Sequence, residues 1–208
     1  ITDDKFHEDF IIGRLIVSTN QQAVDQIEKI RSYILNPEQG KWKNELLLIA
    51  DNDTNPDDPD SKSEMKHTIF TSDIYEELEN KMLTSPFYAV EFPIESSPSG
   101  QTQPDLTNIV INKINSGVGM VNYIGHGSSE NLAHELILKM DRDLDLINTD
   151  NKPPIWVVGT CSFGRYFDET CMAEELLKKN DAAIAIVATT EGIPVSANSL
   201  YLSKFYTL

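Results

Sequence analysis

Two short apolar runs, each ending in a reactive side chain, constrain the fold of this chain most strongly. Val118–Ile124 leads into a Gly-His-Gly turn that carries His126, and Ile155–Thr160 leads into Cys161. Both runs are short and bounded by turn-forming residues, which is typical of buried strands. If the two strands are parallel neighbours, their carboxyl ends share one edge of the sheet and bring an imidazole next to a thiol.

The rest of the chain alternates between strand-like and helix-like patterns. Further strands are predicted at 10–17, 45–50, 87–92 and 182–189. Helices are predicted after an N-cap at Asn20, after a second N-cap at Ser72, from Pro104 until Gly117, and over 172–179. The first helix is expected to be amphipathic, with an apolar stripe of Ala23, Ile27, Ile30 and Ile34. This order predicts an α/β fold, with a mostly parallel sheet between helices on both faces.

The predicted sheet gathers reactive groups at one edge. In such sheets ligands bind at the carboxyl ends of the strands. Four successive buried strands end at polar groups of complementary chemistry, namely Asp51 and Asp53, His126, Cys161, and Thr190 with Glu191. This edge therefore combines acids, a base and a thiol, and a Cys/His dyad is predicted there.

The dyad has a clear chemical use. The thiolate is the nucleophilic form of cysteine, and His126 can take the proton from Cys161. Attack on an amide creates an oxyanion that needs preorganised donors, and the backbone N–H groups of Gly127 and Cys161 are the candidates. For His134 a functional and a structural role stay equally open, whereas His7, His67 and Cys171 are expected to be structural.

Composition limits the classes of partner. The formal net charge of -16 would repel nucleic acid and anionic membrane surfaces. No apolar run approaches the ~20 residues of a membrane span, and no signal peptide is recognised. The sequence opens at Ile1 without a methionine, so we expect it to be a piece of a longer protein.

An acidic loop follows the strand at 45–50. Its alternating Asp51, Asp53 and Asp57 resemble a calcium loop, but Pro56 stands at the turn position and Lys62 where the bidentate glutamate belongs. A solvated loop is therefore predicted, with an irregular structural calcium site as the alternative. The thiol chemistry itself requires no cofactor.

The two reactive motifs resemble those of the gingipain family of cysteine peptidases, which share the caspase-like fold. The motifs are Tyr123–Ser128 and Gly159–Asp168. Gly13–Arg14, Lys41–Trp42 and Ala133–Glu135 extend the resemblance over nearly the whole chain, and together they are most similar to the PorU-type members. Those members are signal peptidases or sortases of the bacterial type IX secretion system.

The resemblance implies a role for each site residue. Cys161 would be the nucleophile and His126 the general base of an endopeptidase. The third, acidic member falls at Asp53, with Asp51 as the runner-up. Glu64 and Glu191 fall near acidic specificity positions, which implies a preference for a basic residue before the scissile bond.

The resemblance also implies a context. Residues 1–18 would be the end of a preceding subdomain or a first strand, and 19–208 a caspase-like peptidase domain that lacks its C-terminal part. The substrates would be polypeptides, in particular the C-terminal signal regions of secreted proteins, and the protein would be exported to the cell surface or outer membrane. A sortase-type transpeptidase, an inactive member that binds cargo, and a calcium-binding adhesion domain are the alternatives.

Overall fold

The structure is a computed structural model that describes residues 12–53, 65–98, 100–167 and 170–206. The nine strands in these ranges are β1 (Glu45–Ala50), β2 (Leu83–Tyr88), β3 (Glu95–Ser97), β4 (Gly100–Thr102), β5 (Met120–Ile124), β6 (Asn131–Leu132), β7 (Leu138–Lys139), β8 (Ile155–Gly159) and β9 (Ala185–Ala188). The six α-helices there are α1 (Asn20–Leu35), α2 (Lys66–Leu78), α3 (Pro104–Ser116), α4 (Met140–Asp143), α5 (Met172–Lys178) and α6 (Val195–Tyr206). None of these helices has the length and apolar character needed to cross a membrane.

A five-stranded parallel sheet organises the fold. Its strand order is β2-β1-β5-β8-β9, and every neighbouring pair is parallel. The four strands expected to end in reactive residues are therefore consecutive neighbours. The short strands β3 with β4, and β6 with β7, form two separate antiparallel pairs.

Helices cover both faces of the sheet, which confirms the predicted three-layer α/β/α architecture. On one face, α3 and α5 pack on alternate strand residues such as Leu47, Val121 and Trp156. On the other face, α2 and α6 pack on residues such as Leu48 and Val157. Strands that are covered on both faces read as continuous apolar runs, which is why β1, β5 and β8 are recognisable in the sequence.

The boundaries of several elements differ from prediction. Within the predicted strand at 10–17, residues 12–17 form no strand, and residues 10–11 lie outside the described ranges. The edge strand β2 covers 83–88 instead of 87–92, and it contains Pro86, which an edge strand tolerates. Helix α2 begins at Lys66, so that Ser72 lies inside it, and its N-cap residue Met65 makes no side-chain capping bond.

Several further elements were not predicted. The segment expected to be a loop at 96–103 contains the β3–β4 hairpin, the β6–β7 pair and α4 lie between β5 and β8, and α6 follows β9. Helices α3 and α5, in contrast, begin at Pro104 and Met172 as predicted. Proline at the first helical turn and Gly117 at the C-cap, with φ of 98°, explain why α3 was predictable.

Helix α1 is oriented against its hydrophobic pattern. Its buried residues are Gln26 and Lys29, whereas Ile27 and Ile34 are 56% and 67% exposed. The Lys29 ammonium donates hydrogen bonds to the backbone carbonyl oxygens of Leu177, Lys179 and Ala183. Pairing with carbonyls at the C-terminal end of α5 and in the segment before β9 therefore holds the polar face of α1 inward.

Candidate active site

The strand register brings His126 and Cys161 to the same level of the sheet edge. Strands β5 and β8 are paired so that Ile124 lies opposite Gly159, and the Gly125 N–H donates to the Gly159 carbonyl oxygen over 3.1 Å. His126 and Cys161 each follow this paired position by two residues. Because neighbouring strands are about 4.8 Å apart, the two reactive residues leave the sheet side by side.

Asp51 fixes the turn that carries His126. Its carboxylate is fully buried and accepts hydrogen bonds from the backbone N–H groups of His126 at 2.8 Å and Asn52 at 2.7 Å. The carboxylate therefore joins the end of β1 to the end of β5. Burial is the main reason that the pKa of Asp51 is raised to about 7, and the nearby charge of Glu135 raises it further.

Asp53 contacts a histidine other than His126. Its Oδ2 accepts the backbone N–H of His67 over 3.0 Å, and its Oδ1 lies 3.3 Å from Nε2 of the same residue. Asp53 adopts the left-handed backbone conformation, with φ of 59°. Both Asp51 and Asp53 therefore belong to the site, one against the backbone of His126 and the other against the side chain of His67.

Three imidazoles lie close together at the sheet edge. The His67 ring is edge-on to the His126 ring with centroids 5.4 Å apart, and the centroids of the His126 and His134 rings are 4.9 Å apart. Burial lowers the pKa of His67 to about 4, and the neighbouring His126 contributes. Burial, and then the charge of His134, also lower the pKa of His126, which favours the neutral imidazole, the form that can accept a proton.

The sequence predicts a structural role for His67 and leaves the role of His134 open. The structure places both rings beside His126, although His67 is buried and His134 exposed. His67 approaches from α2, after the segment 54–64 that lies outside the described ranges. No local motif marks it, because its position depends on how α2 packs against β1.

A buried acid that the sequence did not single out as a site residue, Glu135, interacts electrostatically with Asp51 and Tyr123. Glu135 is 0% exposed, and neither of its carboxylate oxygens has a hydrogen-bond partner. It belongs to the turn between β6 and β7, in which the non-glycine residues Ala133 and Leu136 have φ of 65° and 49°. Such strained backbone is found preferentially at functional sites.

Tyr123 ties this turn to the histidine loop. The Tyr123 hydroxyl donates to the His126 carbonyl oxygen over 2.5 Å, and the Ala133 N–H donates to the same oxygen over 2.9 Å. Burial, together with the charges of Asp51 and Glu135, raises the pKa of Tyr123 well above its usual value. The hydroxyl is therefore a permanent donor that holds the backbone of His126 in place.

Cys161 lies in a tight turn at the end of β8. Its Sγ is 3.8 Å from the Ile193 carbonyl oxygen, and the next residue, Ser162, has φ of 56°. The Ser162 N–H donates to the Glu191 carbonyl oxygen over 3.2 Å, which anchors the turn to the segment after β9. Cys171, in contrast, is fully buried, and burial raises the pKa of its thiol; both cysteines are free.

The proposed oxyanion donors are accessible as backbone groups. Within the described ranges, the N–H groups of Gly127 and Cys161 donate to no other backbone oxygen. A β-carbon at Gly127 would lie 2.7 Å from Oγ1 of the buried Thr160 and 2.9 Å from the Asn131 carbonyl oxygen. Glycine is therefore required where the histidine loop passes over the end of β8.

The remaining predicted site residues are only partly covered by the structure. Glu191 is exposed at the carboxyl edge, next to the cysteine turn. Glu64, Asp57 and His7 lie outside the described ranges. The specificity and calcium hypotheses that involve Glu64 and Asp57 stay predictions.

Comparison with known protein families shows which family this chain belongs to. The family model described as peptidase family C25 matches residues 1–208. The chain belongs to peptidase family C25. Among the C25 relatives, gingipain R2 and gingipain R1 of Porphyromonas gingivalis are each 26% identical over 91% of the chain. The chain corresponds to 24% of the length of the former and 18% of the latter.

Solved structures agree with the C25 assignment at the level of the fold. The crystal structure of the Arg-specific cysteine proteinase gingipain R superposes with a TM-score of 0.68 at 19% identity, over 91% of this chain and 42% of that one. A complex of the pro- and mature domains of the Porphyromonas gingivalis protein RgpB gives a TM-score of 0.62, also at 19% identity, over 88% of this chain and 41% of that one. At these identities the likeness concerns the C25 fold alone.

Proposed function

We propose that this C25 chain is the catalytic core of a cysteine endopeptidase with Cys161 as nucleophile and His126 as general base. The observation that carries the proposal is the pairing of Ile124 with Gly159, which sends both residues out of the same sheet edge. A neutral imidazole within reach of a thiol can take its proton and generate the thiolate that attacks an amide. No cofactor is needed for this step.

Each step of the proposed reaction uses a group at this edge. His126 removes the thiol proton, and the Cys161 thiolate adds to the carbonyl carbon of the substrate. The N–H groups of Gly127 and Cys161 then donate to the oxyanion. The protonated His126 gives its proton to the departing amine, and the resulting thioester is hydrolysed by a water that His126 deprotonates.

The acidic member of the site is proposed to act through position. Asp53 remains our first choice for this role and Asp51 the second. Their contacts support different roles. Asp51 accepts a hydrogen bond from the backbone N–H of His126. Asp53 accepts one from the backbone N–H of His67, whose ring packs on the His126 ring. Both acids would thus hold the base in place rather than exchange protons with substrate.

The substrate class is proposed from the acidic groups of the site. Glu191 is exposed beside the cysteine turn and can attract a basic residue. Glu64 is the second acid proposed for this role. A solved relative is described as Arg-specific, which supports the same preference. His134, exposed next to His126, is proposed to contact the substrate.

The biological setting is also a proposal. A PorU-type role would make the chain an exported, surface-associated peptidase that processes the C-terminal signal regions of proteins secreted by a type IX system. A sortase-type reaction, in which an amine instead of water takes the acyl group, uses the same dyad. Product analysis with an added amine separates the two, because transpeptidation yields an amide and hydrolysis a free carboxylate.

Active-site labelling tests the peptidase proposal directly. Peptidyl acyloxymethyl ketones with Arg or Lys are added to the purified chain, and adducts are counted by intact mass. We expect one adduct on the wild type, none on Cys161→Ala, and labelling slowed by at least about hundredfold on His126→Ala. Cys171→Ala is the matched control and keeps the adduct.

Two outcomes would overturn the proposal. A folded wild type that forms no adduct would favour the alternative of an inactive member that binds secreted cargo. An adduct that persists in Cys161→Ala but disappears in Cys171→Ala would show that Cys171, not Cys161, is the reactive thiol.

A further inference from the structure

We propose that Asp51, His67 and His126 form a binding site for a divalent transition metal of the zinc type. One ligand atom from each of the three residues lies within 4.8 Å of the corresponding atoms of the other two. A carboxylate oxygen and two imidazole nitrogens are a donor set typical of zinc, whereas calcium prefers oxygen ligands alone. The same three residues meet at the end of β1, at the start of α2 and at the end of β5.

His67 provides an observation that points to a ligand independently of the spacing. It is 98% buried, with 2% of its surface exposed, and its Nδ1 has no hydrogen-bond partner. An unpartnered polar nitrogen in the protein interior costs free energy, and binding a metal would remove that cost. The other ring nitrogen, Nε2, lies 3.3 Å from Asp53 Oδ1.

The contact between Asp53 and His67 has the form of a metal-supporting pair. A ligating histidine commonly donates its second ring N–H to a carboxylate, which fixes the tautomer and the ring orientation. Nε2 of His67 lies 3.3 Å from Asp53 Oδ1. A proton held on Nε2 toward this carboxylate would leave Nδ1 with a lone pair. In this arrangement Asp53 supports the site without touching the metal.

The remaining geometry also fits a small cation. Ligand atoms around tetrahedral zinc are separated by about 3.3 Å, given metal–ligand distances of about 2.0–2.1 Å. The three ligand atoms would therefore have to approach one another by at most about 1.5 Å. His126 is only half-buried, so it provides a path from solvent, and the buried carboxylate of Glu135 adds negative charge nearby.

Metal binding at this site would have a functional consequence that rests on the proposed peptidase activity. A metal on the imidazole of His126 uses the lone pair that removes the Cys161 proton. The consequence is a reversible block of thiol activation, relieved by a chelator. Binding itself is independent of activity, so the two claims can fail separately.

Calorimetric titration with zinc chloride tests the site. We expect one zinc per wild-type chain, at least tenfold weaker binding for His67→Ala, and unchanged binding for His134→Ala. His134→Ala is a matched control because its ring also packs on His126 but lies outside the cluster. Cys161→Ala must keep zinc binding, since loss of binding there would place the metal on the thiol and overturn the proposal.

Nitrogen-15 histidine spectra of the wild type test the site without altering it. The chain has four histidines, and His7→Gln and His134→Gln assign two of the ring signals. Zinc should shift the other two, which belong to His67 and His126. Equal shifts at His134, or no shift at His67, would contradict the site even if the His67 variant failed to fold.

A parallel titration with calcium separates the two metal hypotheses. Binding of calcium but not zinc would assign the acidic residues to an oxygen-only site and overturn the zinc proposal. Loss of acyloxymethyl ketone labelling on addition of zinc, restored by a chelator, would support the block. Zinc binding in a chain that never reacts with the ketone would leave the metal site standing and remove only the peptidase proposal.

Discussion

Gly125 lies directly against the side chain of Asp51. A β-carbon built on Gly125 would be 2.2 Å from the Asp51 β-carbon and 2.5 Å from the Tyr123 hydroxyl oxygen. Asp51 cannot withdraw, because its carboxylate accepts the backbone N–H groups of Asn52 and His126. The first glycine of the Gly-His-Gly turn is therefore required by the buried acid that holds the turn.

Gly125→Ala should destabilise the protein and displace His126. Overpacking of this kind costs about 3 kcal/mol in the free energy of unfolding, because the clash involves atoms that are fixed by hydrogen bonds. Denaturant unfolding measures the change. Gly192→Ala is the control, since nothing lies within 4 Å of its added β-carbon, and it should change the free energy by less than about 0.5 kcal/mol. Equal effects of both variants would show that the contact with Asp51 is not the cause.

Lys29→Met should lower the free energy of unfolding by about 2–3 kcal/mol. The substitution removes the ammonium that donates to the carbonyl oxygens of Leu177, Lys179 and Ala183, and buried acceptors without a donor are costly. Thermal or denaturant unfolding measures this. Lys178→Met is the control, because its ion pairs with Glu174 and Glu175 lie within α5, and such i,i+4 and i,i+3 pairs are worth about 0.5 kcal/mol. A Lys29 variant as stable as the control would refute the capping role.

The centre of the sheet was predictable because β1, β5 and β8 are buried on both faces. Runs such as Glu45–Ala50 and Ile155–Gly159 contain no pattern except apolarity, and this property alone predicts a central strand. The position of helix α1 along the chain was predicted correctly, but the face that it buries was not. Its apolar stripe indicated that Ile27 would face inward, yet the hydrogen bonds of Lys29 with α5 decide which face is buried. Such long-range pairing leaves no periodic signal in the sequence.

The residues of the site also divide into those with a local sequence signal and those placed by long-range packing. His126 and Cys161 were predictable because each directly follows a recognisable strand. His67 and Glu135 were not, since one enters the site through the packing of α2 and the other through a turn with left-handed residues at Ala133 and Leu136. Local sequence identifies residues at strand ends, whereas residues that arrive from packed helices and irregular turns require coordinates.

Asp51 should make stability depend on pH. Its pKa is raised from 3.8 to about 7, chiefly by burial, so the native state holds a proton that the unfolded state has released. Its contribution to stability is therefore present below pH 4 and is lost as the pH rises through about 7. Glu135→Gln removes a nearby negative charge and should weaken this loss. The free energy of unfolding, measured between pH 4 and 8 in the presence of a chelator, tests this pH dependence. Glu130→Gln, at an exposed position, is the control.

Glu191→Gln should reduce the preference for a basic residue before the scissile bond. The glutamate is exposed, and its backbone already holds the cysteine turn, so that its side chain is free to attract a substrate cation without supporting the fold. We expect labelling by an Arg acyloxymethyl ketone to slow by about tenfold, which corresponds to about 1.4 kcal/mol, while labelling by a neutral analogue stays within twofold. The measurement compares second-order labelling rates of the two reagents.

Glu130→Gln is the matched control for this experiment, because Glu130 is an exposed glutamate close in sequence to the histidine loop. It should change neither rate. If Glu191→Gln slows both reagents equally, the glutamate supports the cysteine turn instead of binding substrate, because damage to the turn affects every substrate alike. If neither rate changes, the basic preference must come from another acid, and Glu64 becomes the residue to replace.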